Sequence, residues 1–205
     1  MTTGTITSKF ETKAKGMDVV LRYGVYIIFL LMIIVFSLTN ERFLTIQNFM
    51  MISQQAAPHG IAVIGITFVL VVAGIDISIG RNMYLSAILV AIALESMVPA
   101  GLFNSPLGYI LVYLLAIVIG GTIGIINGIM VARFKIVPFI TTLAVGSIAR
   151  GIGLIASNSK VYYVEKLGLI SNGNIGGIPY VLIIFIILLI VFNYVLRKTP
   201  YGRHI

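Results

Sequence analysis

Six long hydrophobic stretches, separated by short polar segments, dominate the pattern of the chain. A helix needs about 20 mostly apolar residues to cross the hydrocarbon core of a bilayer. The third stretch is the shortest, and it ends close to Glu95 and Pro99. The pattern predicts an all-α polytopic membrane protein, with a polar segment over 1–22 and a transmembrane domain over 23–205. The six predicted spans are 24–38, 48–73, 83–98, 107–132, 139–156 and 180–196.

The composition supports a membrane protein and excludes several other classes. Hydrophobic residues make up 59% of the 205-residue chain and charged residues only 10%, whereas soluble domains carry about 25% charged residues. The absence of cysteine excludes disulfides, iron–sulfur clusters and Cys-ligated zinc. No phosphate-binding loop motif is present. We therefore expect a protein that is not an enzyme, holds no metal or cofactor and binds no nucleic acid, despite its net charge of +8.

The distribution of lysine and arginine predicts the orientation, because basic residues concentrate in cytoplasmic loops. With six spans and a cytoplasmic N-terminus, ten of the 14 basic residues lie inside, three lie outside and Arg150 lies within a span. Both termini are therefore expected in the cytoplasm. The inner residues are Lys9, Lys13, Lys15, Arg22, Arg81, Arg133, Lys135, Arg197, Lys198 and Arg203; the outer ones are Arg42, Lys160 and Lys166.

A helix break is predicted over residues 74–80, where two glycines bracket Asp76 and Ser78. Irregular backbone at membrane depth is tolerated only inside protein or beside a water-filled cavity, and transporters use such breaks as solute sites. An ordinary cytoplasmic turn in which Asp76 pairs with Arg81 explains the pattern equally well. Asp76, Ser78 and, at the start of the second span, Gln54 are candidates for a transport pathway.

The fourth span carries Gly120, Gly124 and Gly128 at intervals of four residues. Such spacing places small residues on one helix face and allows a neighbouring backbone to approach closely. We expect these glycines to serve helix packing. Asn127 lies beside them and requires a hydrogen-bonding partner in a dry environment, so it is a further pathway candidate.

Arg150 lies close to the middle of the fifth span, where a charge costs about 2.5–3.5 kcal/mol on insertion scales. Thr142, Gly146 and Gly153 lie at helical spacing from it and form a small, polar stripe. We therefore expect Arg150 to face the interior of the protein or a polar cavity. Contact with solute and a structural pairing, with Asp76 or a backbone carbonyl, both remain open.

Four motifs, in this order, resemble those of the ribose-type permeases, the membrane subunits of ATP-binding-cassette (ABC) importers for sugars. One departure is Arg81, which stands where that family usually has a small residue. The matching segments are Gly-Ile-Asp-Ile-Ser-Ile-Gly at 74–80, Asn-Gly at 127–128 with Pro-Phe-Ile-Thr-Thr-Leu at 138–143, Ala-Arg-Gly at 149–151, and Thr-Pro-Tyr-Gly-Arg-His-Ile at 199–205.

The resemblance implies a monosaccharide importer in the cytoplasmic (inner) membrane of a prokaryote. This chain would form the solute path together with a second permease subunit, identical or related. Separate ATPase subunits would drive transport and an extracytoplasmic binding protein would deliver the sugar. Gly202, Arg203 and His204 would then face the ATPase.

The family continues for well over a hundred residues beyond its Gly-Arg segment. The resemblance therefore implies that 1–205 is the N-terminal part of a longer permease domain, and that it inserts in the membrane without transporting sugar. Two alternatives stay open. One is an ion-coupled secondary carrier or channel that uses Asp76, Glu95 or Arg150, and the other is a non-transporting membrane subunit.

The distribution of basic residues gives a testable topology. A reporter fused after Ile205 is expected to report the cytoplasm, and one inserted in the loop 157–179 is expected to report the outside. Alkaline phosphatase and green fluorescent protein fusions measure the two sides independently. The reverse pattern at either position would contradict the six-span topology.

Overall fold

A computed structural model describes residues 22–96, 106–163 and 173–204 of the chain. These residues are mainly helical, and their only sheet is a two-stranded hairpin. The elements are α1 (Arg22–Thr39), α2 (Ile46–Val71), α3 (Ile79–Ser96), α4 (Pro106–Ala132), α5 (Pro138–Ser157), β1 (Asn174–Ile175), β2 (Ile178–Pro179), α6 (Tyr180–Lys198) and α7 (Pro200–His204).

The six long helices coincide with the six predicted spans to within a few residues. Five of them are long and apolar enough to cross a membrane, and α3 is the exception. The all-α polytopic fold is therefore confirmed. The predicted break is confirmed as well, because α2 ends at Val71 and α3 begins at Ile79. Most of the polar segment predicted over 1–22 lies outside the described residues.

The chain divides into two compact units, and the boundary between Met1–Ile52 and Ser53–Ile205 falls within α2. In the first unit, the hydroxyl of Ser37 donates to the Ile33 carbonyl inside α1, so it adds no unpaired polar group to an apolar helix. The turn after α1 is closed by stacking of the Phe36 and Phe43 rings, with centroids 5.6 Å apart.

In the second unit, α3 packs against both α4 and α5. Asn82, near the start of α3, donates to the carbonyl of Gly120 in the middle of α4. Ser78, just before α3, accepts from Asn127 near the end of α4, so α3 and α4 run in opposite directions. Arg81 donates to Leu143 near the start of α5, so α3 and α5 run in the same direction.

The helices α3 and α5 approach each other closely. A Cβ atom on Gly146 would lie 3.1 Å from both the Ser78 Cα and the Arg81 Cδ, and one on Gly153 would lie 2.7 Å from the Tyr84 ring. These glycines belong to the buried stripe of α5, which is made of small residues: Thr141, Thr142, Gly146, Ala149, Gly153 and Ser157. Close packing of this kind stabilises membrane helices through van der Waals contact.

Two apolar clusters fill the space between these three helices. One contains Leu85, Ile123 and Ala149, from α3, α4 and α5 respectively. The other contains Val90 and Val112 and joins the second half of α3 to the first half of α4. The helices α2 and α6 meet through aromatic side chains: Phe68 and Phe192 pack edge to face with centroids 5.4 Å apart, and the Phe185 ring packs on Gly60.

The loop predicted over 157–179 contains a short hairpin where the structure describes it. Gly176 and Gly177 form its turn with positive φ angles of 58° and 86°, the conformation that tight hairpins require. Residues 164–172 of the predicted loop lie outside the described residues. After α6, the hydroxyl of Thr199 accepts from the Gly202 backbone N–H and caps α7.

The end of α2 contains a strained residue. Ala73 adopts a left-handed conformation with φ 55°, and the N–H groups of Ala73 and Gly74 donate to Leu70 and Val69. This is a Schellman-type helix end, in which the left-handed position normally belongs to glycine. The glycine stands one residue later, where a Cβ would lie 3.0 Å from a Val69 methyl and 3.1 Å from its carbonyl oxygen.

Two single substitutions at this helix end, Ala73→Gly and Gly74→Ala, are expected to change the free energy of unfolding in opposite directions. Ala73→Gly should stabilise the protein by about 0.5–1 kcal/mol, because glycine tolerates the left-handed conformation better than alanine does. Gly74→Ala adds the same methyl group at the next position and should destabilise the protein, because that methyl meets Val69. The free energy of reversible unfolding in mixed detergent micelles measures both. Equal effects of the two substitutions would contradict this helix-end geometry.

Candidate functional site

The segment between α2 and α3 turns inward and ends in a buried polar residue. Ser78 is 1% exposed. Its backbone N–H and its hydroxyl both donate to Asp76 Oδ1, at 2.7 Å and 2.6 Å. Asp76 itself is partly exposed. The carboxylate therefore closes a tight turn that directs the chain into α3 and satisfies donors that begin the helix.

Asn127 extends this pair into a hydrogen-bonded relay. The Ser78 hydroxyl has one hydrogen, which it donates to Asp76, so its oxygen is left to accept from Asn127 Nδ2 at 2.9 Å. Because the Ser78 oxygen must accept, the Asn127 side chain must present its NH2 group to it, and this fixes the orientation of the amide. The relay runs from α4 through the break to the carboxylate. We call Asn127, Ser78 and Asp76 the polar relay.

The hydroxyl of Thr142 ties the other side of the break to α5. It accepts from the Ile77 backbone N–H at 3.2 Å, and it lies 3.4 Å from the Ile75 carbonyl and 3.3 Å from the Phe139 carbonyl. The backbone polar groups of an irregular segment must be satisfied inside a membrane protein. Here Thr142 of α5 satisfies the backbone, and Asn127 of α4 bonds the Ser78 side chain. The break is therefore held by both helices.

Arg81 takes no part in the relay. Its guanidinium donates to the Leu143 carbonyl of α5 at 3.2 Å, and its side chain lies against Gly146. Within the described residues, the alternative in which Asp76 pairs with Arg81 across a simple turn is therefore not observed. The missing side chain at Gly146 explains how this position holds an arginine where the resembling family usually has a small residue.

The described part of α3, α4 and α5 also holds three buried polar atoms without a hydrogen-bond partner: Asn82 Oδ1, Asn127 Oδ1 and Thr141 Oγ1. Asn127 is 7% exposed and Thr141 3% exposed. Buried polar atoms rarely stay unpaired, and each exception requires an explanation. Bare amide oxygens accept hydrogen bonds, so these positions suit hydroxyl or N–H donors. No group of three or more His, Asp or Glu that could hold a metal occurs among the described residues.

Two of the predicted pathway residues lie away from the relay. Gln54 lies about 26 Å along α2 from the helix end at Val71. Arg150 is exposed in the described part of the chain, and its placement toward the protein interior or a polar cavity stays a prediction. It lies at the edge of the small-residue stripe of α5, whose centre is occupied by the contact with α3. A solute-contacting role for either residue stays a prediction.

The three glycines Gly120, Gly124 and Gly128 of α4 lie in different environments. The Gly120 carbonyl accepts from Asn82, and a Cβ on Gly120 would meet atoms of α3. Gly124 and Gly128 are exposed, with open space where a Cβ would lie. Within the described residues only Gly120 packs as expected, and for the other two helix packing stays a prediction. The closer glycine contacts of α3 are with the small stripe of α5. Asn82, which is partly buried, is a polar residue that the sequence analysis missed.

The three residues expected to face an ATPase lie in or beside the short helix α7. Arg203 and His204 are exposed. A Cβ on Gly202 would overlap the Leu196 carbonyl of α6, so only glycine fits at this position. The glycine of the predicted Gly-Arg motif therefore has a local packing role, and the two basic side chains are available at the surface.

The comparison with known families decides the class of the chain. A family described as the permease component of branched-chain amino acid transport systems matches residues 48–205. The chain belongs to this permease family. Permeases of this family are transport proteins and not enzymes, and the match includes the break, the polar relay and α7. The match agrees with the multi-pass membrane fold of the described helices.

The chain is also similar to curated sugar permeases, and this confirms its resemblance to the ribose-type permeases. It is 30% identical to the ribose import permease protein of Haemophilus influenzae over 186 residues, which are 88% of this chain and 55% of that one. It is 31% identical to the D-allose transport system permease protein of Escherichia coli over 188 residues, 90% of this chain and 55% of the relative. The chain thus spans about half the length of the curated relatives it matches. No solved structure matches it significantly.

The polar relay predicts unequal costs for removing two serine hydroxyls. Ser78→Ala should destabilise the protein by about 1–3 kcal/mol, because it leaves the buried Asn127 amide without its acceptor. Ser147→Ala is the matched control, because Ser147 is exposed and its hydroxyl bonds only to the Leu143 carbonyl of its own helix. Reversible unfolding in mixed micelles measures both. A cost for Ser78→Ala no larger than that for Ser147→Ala would contradict the relay.

Proposed function

We propose that this protein is a membrane-spanning permease subunit of an ABC importer for a monosaccharide, located in the cytoplasmic membrane of a prokaryote. The family match over residues 48–205 carries the proposal. The two relatives described above are named for ribose import and D-allose transport, and a third, from Azospirillum brasilense, is an L-arabinose ABC transporter permease protein. A pentose or hexose is therefore the solute class.

The chemistry of the α3–α4–α5 core favours a neutral, hydroxyl-rich solute. The polar side chains between these helices are mainly amides and hydroxyls, namely Asn82, Asn127, Ser78, Thr141 and Thr142. Groups of this kind exchange hydrogen bonds with sugar hydroxyls without the desolvation cost of a buried charge. Glu95, which an ion-coupled carrier could use for proton coupling, is exposed.

In the proposed importer, the polar relay would hold the solute path closed on one side of the bundle. This is the side on which α2 and α4 finish and α3 and α5 start. Ser78 and Asn127 are too buried to contact solute in this conformation. Alternating access requires two packings of the bundle, each favoured by a different ligand. We infer that opening of this end breaks the Asn127–Ser78 bond, whereas Asp76, which is partly exposed, stays near the opening.

Partner subunits supply the remaining parts of the proposed importer. The chain has no phosphate-binding loop motif, so ATP hydrolysis would belong to separate ATPase subunits. Arg203 and His204, exposed at the end of α7, would face them. A second permease subunit would complete the path, and an extracytoplasmic binding protein would present the sugar on the opposite side.

Transport by the native complex tests this function. The native complex whose permease contains residues 1–205, purified with its ATPase and binding protein and reconstituted in proteoliposomes, should take up at least one of ribose, allose, arabinose or galactose when ATP is supplied, whereas residues 1–205 alone in place of that permease should not support uptake. An otherwise identical complex with a hydrolysis-deficient ATPase is the control. Uptake that follows a proton or sodium gradient without ATP would instead support a secondary carrier, and no uptake of any of the four sugars would contradict the proposed solute class.

A further inference from the structure

The hairpin that precedes α6 exposes two apolar side chains on one face. Ile175 of β1 and Ile178 of β2 are cross-strand partners, so their side chains lie side by side on the same face of the hairpin. They are 63% and 42% exposed. Pro179, at the next position of β2, lies on the opposite face and is buried. We call Ile175 and Ile178 the apolar pair.

The hairpin is fixed to the first turn of α6. Its strand β2 ends at Pro179, and the helix begins at Tyr180 without a linker. The Tyr180 backbone N–H donates to the Gly173 carbonyl at 3.0 Å, which closes the open end of the hairpin onto the helix start. Ile178 is two residues from Tyr180, a separation of about 7 Å at most in extended chain. The depth of α6 in the bilayer therefore sets the depth of the apolar pair.

The length of α6 places its start at the edge of the hydrocarbon core. Its 19 residues span about 28 Å, close to the thickness of about 30 Å of that core. Every residue over 181–192 is apolar, and the first residue of the helix, Tyr180, is of a type that is enriched at membrane–water interfaces. The interfacial layer adds about 5–7 Å on each side, so the hairpin lies within that layer.

A lipid surface fits the apolar pair better than water or a charged protein partner does. No charged residue occurs between Lys166 and Arg197, so the hairpin has no charge with which to recognise such a partner. The exposed surface of α6 beyond the hairpin is apolar as well, for example at Ile184 and Ile187. The outer edges of a two-stranded hairpin carry backbone groups without ladder partners, and such groups do not enter hydrocarbon. Only the two isoleucine side chains would therefore reach the acyl chains.

We propose that the apolar pair is a lipid anchor, which inserts at the boundary between headgroups and acyl chains in the leaflet where α6 begins. The anchor holds the start of α6 and the hairpin at a fixed depth, because withdrawing the pair would expose both isoleucines to water. This inference goes beyond the proposed function and does not depend on which solute is transported.

Single tryptophan probes measure the depth of the apolar pair. The chain contains no tryptophan, so Ile175→Trp and Ile178→Trp each introduce one, at exposed positions with room for a larger side chain. Asn174→Trp is the matched control: Asn174 is also exposed and adjoins Ile175, but it lies on the opposite face of the hairpin. Each variant chain is reconstituted in vesicles of phosphatidylcholine and phosphatidylglycerol, with or without bromine on the phosphatidylcholine acyl chains.

Bromine quenches tryptophan only at short range, so its position in the acyl chain reports depth. Bromine near the headgroup end should lower the fluorescence of both isoleucine variants at least about twofold, because their indole rings would lie at the boundary between headgroups and acyl chains. Bromine near the methyl end should quench them less. Asn174→Trp should lose less than about a quarter of its fluorescence with either lipid, since its face is turned away from the acyl chains.

The outcomes separate a lipid anchor from other environments of the hairpin. Quenching confined to the two isoleucine variants supports the anchor. Unquenched emission at the wavelength typical of water would place the hairpin in solvent and overturn the inference. Unquenched emission at the shorter wavelength typical of an apolar site would mean that protein, such as a second copy of the chain, covers the apolar pair, and would overturn it too. Equal quenching of Asn174→Trp and Ile175→Trp would contradict an anchor built on one face of the hairpin.

Discussion

A break in a membrane helix leaves backbone N–H and C=O groups that the surrounding lipid cannot satisfy. In this permease, Asp76 and Thr142 satisfy backbone N–H groups of the break between α2 and α3, and Asn127 holds the Ser78 side chain from a third direction. Asp76 bonds the start of α3 from within the segment, Asn127 reaches the Ser78 hydroxyl from α4, and Thr142 bonds Ile77 from α5. Because these partners lie on different helices, the position of α3 depends on both neighbours being correctly placed.

The small stripe of α5 makes this arrangement sterically possible. Ser78 can lie next to the α5 backbone because Gly146 has no side chain, and the same glycine accommodates the stem of Arg81. The guanidinium then bonds the Leu143 carbonyl and adds a second link between α3 and α5. On its other face α3 meets α4 at Asn82 and Gly120. The least hydrophobic of the six long helices is thus the one placed between two others.

The sequence predicts the helices and the break because both leave local signals. Apolar stretches of membrane-spanning length predict the six helices, and the paired glycines around Asp76 predict the interruption. Which helices pack against each other depends on tertiary contacts, and these leave no such local signal in the sequence. Glycines at four-residue intervals mark α4 as a packing helix, yet the closer glycine contacts of α3 lie on α5, where threonine, alanine and glycine alternate in a less regular pattern.

Arg150 and Asn82 both show that the sequence pattern of a helix does not determine which polar side chains pack against a neighbouring helix. A charge in the middle of a span predicts burial, but Arg150 lies just outside the stripe that α3 covers, and a rotation of less than one helical turn decides between the two environments. Asn82 has no distinctive motif, since a single asparagine after Arg81 is equally consistent with a surface position. Only its bond to the Gly120 carbonyl identifies the unpaired oxygen beside it.

The central claim is that Asn127 and Ser78 stabilise the break through direct interaction, and a double-mutant cycle measures that interaction. Unfolding free energies of the wild type, Ser78→Ala, Asn127→Leu and the double variant would be compared in the same bilayer-like micelles. Hydrogen bonds between membrane helices give coupling energies of about 0.6 kcal/mol on average and up to about 1.7 kcal/mol. For this buried relay we expect a coupling energy in the upper half of that range. Additive effects of the two substitutions, with a coupling energy of zero within error, would contradict the claim that this bond fixes α3 between its neighbours.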